Sequence, residues 1–280
     1  MSTPDALTVP RALVLGAVHG PAELLPISSS AHVTVVPYLL GWDYAQAEAD
    51  LRKAFEVALH AGTALALLVG LRDEVAATAR GLTPAGAAKL VAASAPAAVV
   101  GLALERPIER RLGTPETIAA GMIAGALALG WADRSPRERV LGEAGMRDAL
   151  WLGIAQACAL VPGVSRNGAT LATARRRRFA RADANRLSRH VALPVIGGAT
   201  GLKTLRLARR GLPEGMALPF AVGTGASFAS TLLCARLLRV VERDASLAPF
   251  AVYRLALAGA VLWRAGREGG RGARTAGGSA

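Results

Sequence analysis

Apolar residues run through this 280-residue chain in blocks, and the polar residues that interrupt them decide what each block is. The first block, Ala12 to Leu25, is short, contains His19 and Glu23, and stops at Pro26. Val33 to Trp42 is likewise about half of the roughly 20 residues a membrane span needs. The pair predicts two half-helices meeting at a polar turn, ISSSAH. Irregular backbone of this kind is tolerated at membrane depth only where protein or a water-filled cavity surrounds it. Asp43 to Lys53 is a polar connection, and Phe55 to Leu71 predicts the first long helix, with Glu56 and His60 in its first turns. Residues 86–104 predict another helix, Glu105 to Arg111 a charged link, Ile118–Trp131 a clean span and 133–148 a charged loop. Ala149 to Val161 is again a short run ending at a proline, Pro162, followed by VSRNGATLATA and an Arg-dense segment from Arg175 to Arg189. Val191–Leu202, Met216–Leu238 and Ala248–Trp263 complete the series. The pattern is that of an all-α integral membrane protein, a multi-span helical bundle forming one polytopic domain over residues 1–264. A Gly/Arg-rich tail over 265–280 is expected to be disordered.

The two broken blocks can be laid over each other. LGAVH at 15–19 matches LGIAQ at 152–156, Leu25-Pro26 matches Val161-Pro162, and VALHAG at 57–62 resembles VALPVIGG at 191–198. This defines a repeat over about 10–131 and a second over about 149–263. Short Pro- or Gly-interrupted segments in corresponding positions of two halves point to a site at their interface, near the bilayer midplane, with inverted topology as the inferred relation.

Composition agrees with the pattern: 52% of the residues are hydrophobic and the mean hydropathy is +0.35. The net charge of +13 rests almost wholly on Arg, since Lys occurs only at Lys53, Lys89 and Lys203. A basic chain can bind nucleic acid, but these charges fall between apolar runs and aromatics are only 4%, which argues against it. Basic residues in nearly every loop leave the orientation open. Cys158 and Cys234 sit in apolar runs without metal-ligand spacing and read as small buried hydrophobes. Met1 to Pro10 carries no basic n-region, so no cleavable signal peptide is expected.

Ionisable groups inside membrane segments are expensive and mark function. Arg166 lies in the second broken helix between Gly163 and Gly168, and its guanidinium offers a planar fork suited to phosphate oxygens. Glycines let backbone N–H groups approach an anion, and a half-helix N-terminus adds a favourable dipole. Ser28, Ser29, Ser30 and Ser165 supply hydroxyls that suit phosphate binding or nucleophilic attack, with His32 close enough in sequence to be the base. Glu23 suits a divalent cation or acid–base work. His19 and His60 are balanced between site and core roles, as is Glu56 between site and helix-dipole roles, and His190 reads as structural. The Arg175–Arg178 run reads as a surface facing lipid headgroups. The P-loop and HExxH patterns are absent from the sequence.

These residues resemble the undecaprenyl-diphosphate phosphatases of the bacitracin-resistance type. GAVHGPAELLPISSSAH at 16–32 is similar to that family's GxxxGxxExLPISSSxH, and FEVALHAG at 55–62 to its FEVxxxxG segment. PGVSRNGAT at 162–170 is similar to PGxSRxGxT, with LSRHVALP at 187–194 resembling the helix that follows. The resemblance implies inverted repeats, re-entrant helices, and hydrolysis of undecaprenyl diphosphate to the monophosphate carrier lipid and inorganic phosphate for cell-wall precursor recycling. It implies catalytic roles for Glu23, Ser29, His32 and Arg166. Substrate binding is expected at Ser28, Ser30, Gly163, Ser165, Asn167, Gly168 and Thr170. A divalent cation, Mg or Ca, is implied, with Glu23 and His19 as its candidate ligands. Expected partners are the polyprenyl diphosphate lipid, the cell (inner) membrane and a second copy in a homodimer. The chain departs from the family at His19, where an acidic residue or Gln is usual, at Asn167, where Ser is usual, and at Arg175–Arg178, mostly apolar elsewhere. The alternative is a flippase that binds polyprenyl phosphate at the same site without cleaving it, or a divergent paralogue acting on another lipid phosphate.

Overall fold

The two breaks fall around Pro26 and Pro162, although Pro21 and Pro37 are carried inside the half-helices themselves. The computed structural model describes residues 6–241 and 246–276. Helices α1 (Val9–Leu24) and α2 (Ser29–Leu40) flank the first break. They are followed by α3 (Ala49–Gly70), α4 (Arg72–Arg80), α5 (Pro84–Leu112) and α6 (Pro115–Asp133). Helices α7 (Met146–Cys158) and α8 (Arg166–Arg176) flank the second break, and α9 (Arg181–Arg210), α10 (Ala217–Val241) and α11 (Ala248–Ala276) complete the chain. Among the described residues no strand forms, and a single isolated bridge joins Arg139 to Phe179.

Small residues let the helices touch backbone to backbone. A Cβ added at Gly16 or Gly20 of α1 would run into the α10 backbone near Gly223 and Thr231, so this GxxxG spacing sets the approach of α1 to α10. α6 packs along α11, and α5 along α7. Among the described residues three helical segments are long and apolar enough to cross a membrane: Ala49–Gly70, Pro84–Leu104 and Ala217–Ala235. Val99 is 65% exposed and Leu233 66%, an outward apolar surface that suits lipid rather than water.

Several expectations are corrected. The charged link at 105–111 does not interrupt the chain, because α5 continues through it to Leu112. Ile118–Trp131 lies, as expected, within one unbroken helix, α6, which carries Glu116 and Asp133 at its ends. The tail expected to be disordered from 265 instead extends α11 to Ala276. Glu268 anchors it by accepting from the Tyr38 hydroxyl at 2.9 Å and from Arg264 one turn back at 2.9 Å. The last four residues, and Met1 to Asp5 of the leader stretch, lie outside the described residues.

The Arg175–Arg178 run is not one headgroup-facing surface either. Arg175 is fully buried and donates to the carbonyls of Ser135 and Phe179, satisfying the end of α6. Arg177 donates to Asp148 at 2.6 Å, and Arg139 reaches the same carboxylate with two bonds of 3.0 and 2.8 Å. Only Arg176 and Arg178 are exposed, with Arg176 lying 3.9 Å over the Trp131 ring.

Candidate active site

The two breaks are built alike. Each new helix is preceded by a serine with positive φ, Ser28 (φ 75°, ψ 98°) and Ser165 (φ 69°, ψ 114°). A side chain there is strained, and strain of this kind gathers where a site over-determines the backbone. The left-handed serine turns the chain abruptly, so the first helical residue after it points into the space between the halves. That residue is Ser29 in α2 and Arg166 in α8. Both helix N-termini, with their unpaired N–H groups and positive dipole ends, open on one cavity of about 630 Å³.

Glu23, from the last turn of α1, joins the two. Its Oε2 accepts from Ser29 Oγ at 2.5 Å and its Oε1 accepts from the Arg166 guanidinium. The carboxylate side chain is only 8% exposed, so this is a buried ion pair with every partner supplied by the protein. Arg166, 143 positions from Glu23 in sequence, thus shares its carboxylate with Ser29.

His32 is turned away from Ser29 in this structure. Lying four residues after Ser28 on α2, it folds back so that Nδ1 donates to the Ser28 carbonyl at 2.7 Å. A carbonyl only accepts, so Nε2 is left to accept from the Tyr253 hydroxyl, also at 2.7 Å. Both ring nitrogens are engaged, and His32 holds the strained turn from behind. The group beside Ser29 is Glu23.

The expected phosphate-binding set divides in the same way. Ser28, Ser29, Ser30, Ser165, Arg166 and Asn167 line the cavity. Asn167 also joins the halves, donating to the Leu24 carbonyl at 2.6 Å and accepting from Ser188 at 3.0 Å. Thr170 is fully buried and bonds to Ser188 at 2.6 Å. Gly168 faces Arg254 and Gly163 faces the α6 backbone at Ile118 and Met122, and neither lines the cavity. A Cβ at Gly168 would come within 2.9 Å of the Arg254 guanidinium, and one at Gly125 of α6 would fall on it. Gly168, read from sequence as room for a phosphate, is room for an arginine.

Arg254 of α11 is the residue missed by the sequence reading. It is fully buried, and its Nη2 donates to the Gly163 and Val164 carbonyls at 2.9 Å each while Nη1 approaches the Pro26 carbonyl at 3.4 Å. One guanidinium therefore touches both turns. The signal was present: Arg254 is a lone charge in the apolar run Ala248–Trp263, as costly there as Arg166 in its own segment.

Away from the charged end, apolar side chains such as Ala97, Leu102, Leu160, Ile196 and Leu202 line the same cavity. It can therefore hold an anionic head and an apolar chain together. His19 and Glu23, paired by sequence reasoning, are indeed neighbours, and His60 joins them. Ligand atoms of the three lie within 4.8 Å of one another.

The family model for bacitracin resistance protein BacA matches residues 12–260. An undecaprenyl-diphosphatase of Geobacter sulfurreducens is 41% identical over 270 residues, covering 91% of this chain and 98% of the relative. That of Geobacter metallireducens is 40% identical over 264 residues, covering 89% and 95%. An undecaprenyl-diphosphatase 2 of Stutzerimonas stutzeri is 35% identical over 266 residues, covering 89% and 95%.

Proposed function

Since the chain belongs to the bacitracin resistance protein family, BacA, we propose that it hydrolyses undecaprenyl diphosphate to undecaprenyl phosphate and inorganic phosphate. The observation that carries the reading is Glu23, held between Ser29 and Arg166 at two helix N-termini that share a cavity with an apolar flank. The terminal phosphate lies against the N–H groups of α2 and α8, with the Arg166 fork on its oxygens. Ser29 Oγ attacks phosphorus as Glu23 takes its proton. The anhydride bond breaks and the lipid monophosphate leaves. Water then cleaves the phosphoserine, releasing inorganic phosphate and restoring Ser29.

His32, Tyr253 and Arg254 hold the two turns and touch no reacting atom. The pairing of α1–α2 with α7–α8, each broken at a left-handed serine, supports two inverted repeats with re-entrant helices. The outward apolar surface and three candidate spans support a multi-pass protein of the cell membrane. Mg and Ca take oxygen ligands, whereas this cluster offers two imidazoles and one carboxylate. The hard ion the resemblance implies does not fit, and no step is routed through it.

The test is phosphate release from undecaprenyl diphosphate by the protein purified in detergent. Absence of release removes the reading. Full turnover in Ser29→Ala removes the nucleophile.

A further inference from the structure

The His19 imidazole is completely buried, with Nε2 left without a hydrogen-bond partner. A buried polar atom without a partner costs about 1–3 kcal/mol, so the arrangement calls for an explanation. Its other nitrogen is well held: Nδ1 lies 3.0 Å from Thr63 Oγ1 and 3.2 Å from Ser227 Oγ. Ser227 gives its proton to the Leu59 carbonyl at 2.9 Å, and Thr63 lies 2.8 Å from Ser227 Oγ. A directed chain follows in which Thr63 donates to Ser227 and accepts from His19 Nδ1–H. The lone pair of His19 is then on the unpartnered Nε2.

His60 is arranged the same way. Its Nδ1 donates to the Glu56 carbonyl at 2.9 Å, so that in the neutral ring the lone pair is on Nε2, 3.5 Å from Glu23 Oε2. The two rings meet edge to face, centroids 4.5 Å apart and 78° between planes. Two imidazole nitrogens and a carboxylate oxygen thus converge, each imidazole fixed in its tautomer by a bond from the far nitrogen. That outer bond is the usual support of a metal-bound histidine.

We infer that His19, His60 and Glu23 form a three-ligand site for a transition-metal dication of the zinc type, with a fourth position open toward the cavity. Two nitrogens and one oxygen suit Zn(II), Co(II) or Mn(II), and zinc most among those common in cells, while they suit Mg and Ca poorly. The inference rests on the proposed hydrolase reading for what the open position would face: an oxygen of the diphosphate, next to Ser29. The metal site itself rests on the side-chain geometry alone.

The test measures metal directly. The purified protein is stripped with chelator, reloaded with Zn, Mn, Mg or Ca, washed, and its metal content measured by mass spectrometry. Affinity is read by competition with a chromophoric chelator. One tightly held Zn per chain is expected, with Mg and Ca washed out. Co(II) is expected to give the intense visible bands of a four-coordinate ion. His60→Asn should weaken Zn binding by about 100-fold or more, and Thr63→Val, which removes the hydroxyl bonded to His19 Nδ1, Ser227 and Thr231 but no metal ligand, by about 10-fold to 100-fold. His19→Glu should shift preference toward Mg and Ca.

Size-exclusion profiles of the variants separate lost binding from lost folding, and Thr63→Val supplies a second, milder perturbation. Zn binding that is absent in the wild type, or unchanged in both His60→Asn and Thr63→Val, overturns the inference. One Zn per chain without phosphate release upholds the metal site and removes the hydrolase reading. Phosphate release by a protein that binds no Zn does the reverse.

Discussion

Replacing Arg254 by methionine keeps most of the side-chain volume and removes the guanidinium. The two carbonyls of Gly163 and Val164, each bonded at 2.9 Å, then lose their donor inside the protein. Each unmet bond costs about 1–3 kcal/mol, so about 2–6 kcal/mol for the pair. Against this, Arg254 is held by the carbonyls of Pro26, Gly163 and Val164, and removing a buried cation relieves a desolvation penalty of several kcal/mol. The two effects are of similar size and opposite sign, so the melting temperature is a poor readout.

Geometry is the better one. The Gly163–Ser165 turn aims Arg166, and a displacement of about 1 Å at a catalytic group costs about 100-fold in rate. The expected result for Arg254→Met is a fall in kcat of about 100-fold, measured as phosphate release from undecaprenyl diphosphate. KM should change less, because the apolar part of the cavity is untouched. Gly125→Ala approaches the same contact from α6, since its Cβ would fall on the guanidinium. It should reproduce the loss, and the double variant should be no worse than the poorer single one. Wild-type turnover in Arg254→Met would refute the claim that this residue holds the turns in place.

Glu23→Gln keeps the size of the hub but removes its charge and its capacity as a base. It should lower kcat by about 10²–10⁴-fold, and the Glu23→Gln/Ser29→Ala double variant should fall little further, since the two act as one unit. His32→Asn should reduce kcat without moving the acid limb of the pH–rate profile; a displaced limb would return His32 to the role of base. Asn167→Ala removes the 2.6 Å bond to Leu24 between the halves and the 3.0 Å bond from Ser188 within the second, and should lower stability by about 1–3 kcal/mol in detergent denaturation. At the loop end of α7, burial pushes the Asp148 carboxyl up, but donors from Arg139, the Gly145 N–H and Arg177 outweigh it and hold the group at about 2. Its stabilisation is therefore full above the ordinary carboxylate range and is lost as pH falls toward 2. Thermal unfolding from pH 6 downward should show a steeper loss in the wild type than in Asp148→Asn.

The sequence by itself determined whatever depends on neighbours along the chain. Short apolar runs cut at Pro26 and Pro162, polar residues crowded after each cut, and the serine and arginine that open α2 and α8 are all local signals. They sufficed to locate the two breaks and to name Glu23, Ser29 and Arg166. Tertiary structure alone decided which of those residues act on one another. His32 lies three positions from Ser29 yet turns toward α11, because a helix carries its side chain back onto the preceding turn. Glu23 reaches Ser29 instead, since the break swings α1 against the start of α2. Arg254 and His60 belong to helices whose periodicity records only that they are apolar, and nothing local says which turn or which carboxylate they will meet. Gly168 shows the difference most plainly: the sequence required a small residue there, and only the fold revealed that the space was for the Arg254 guanidinium, 86 residues farther along the chain.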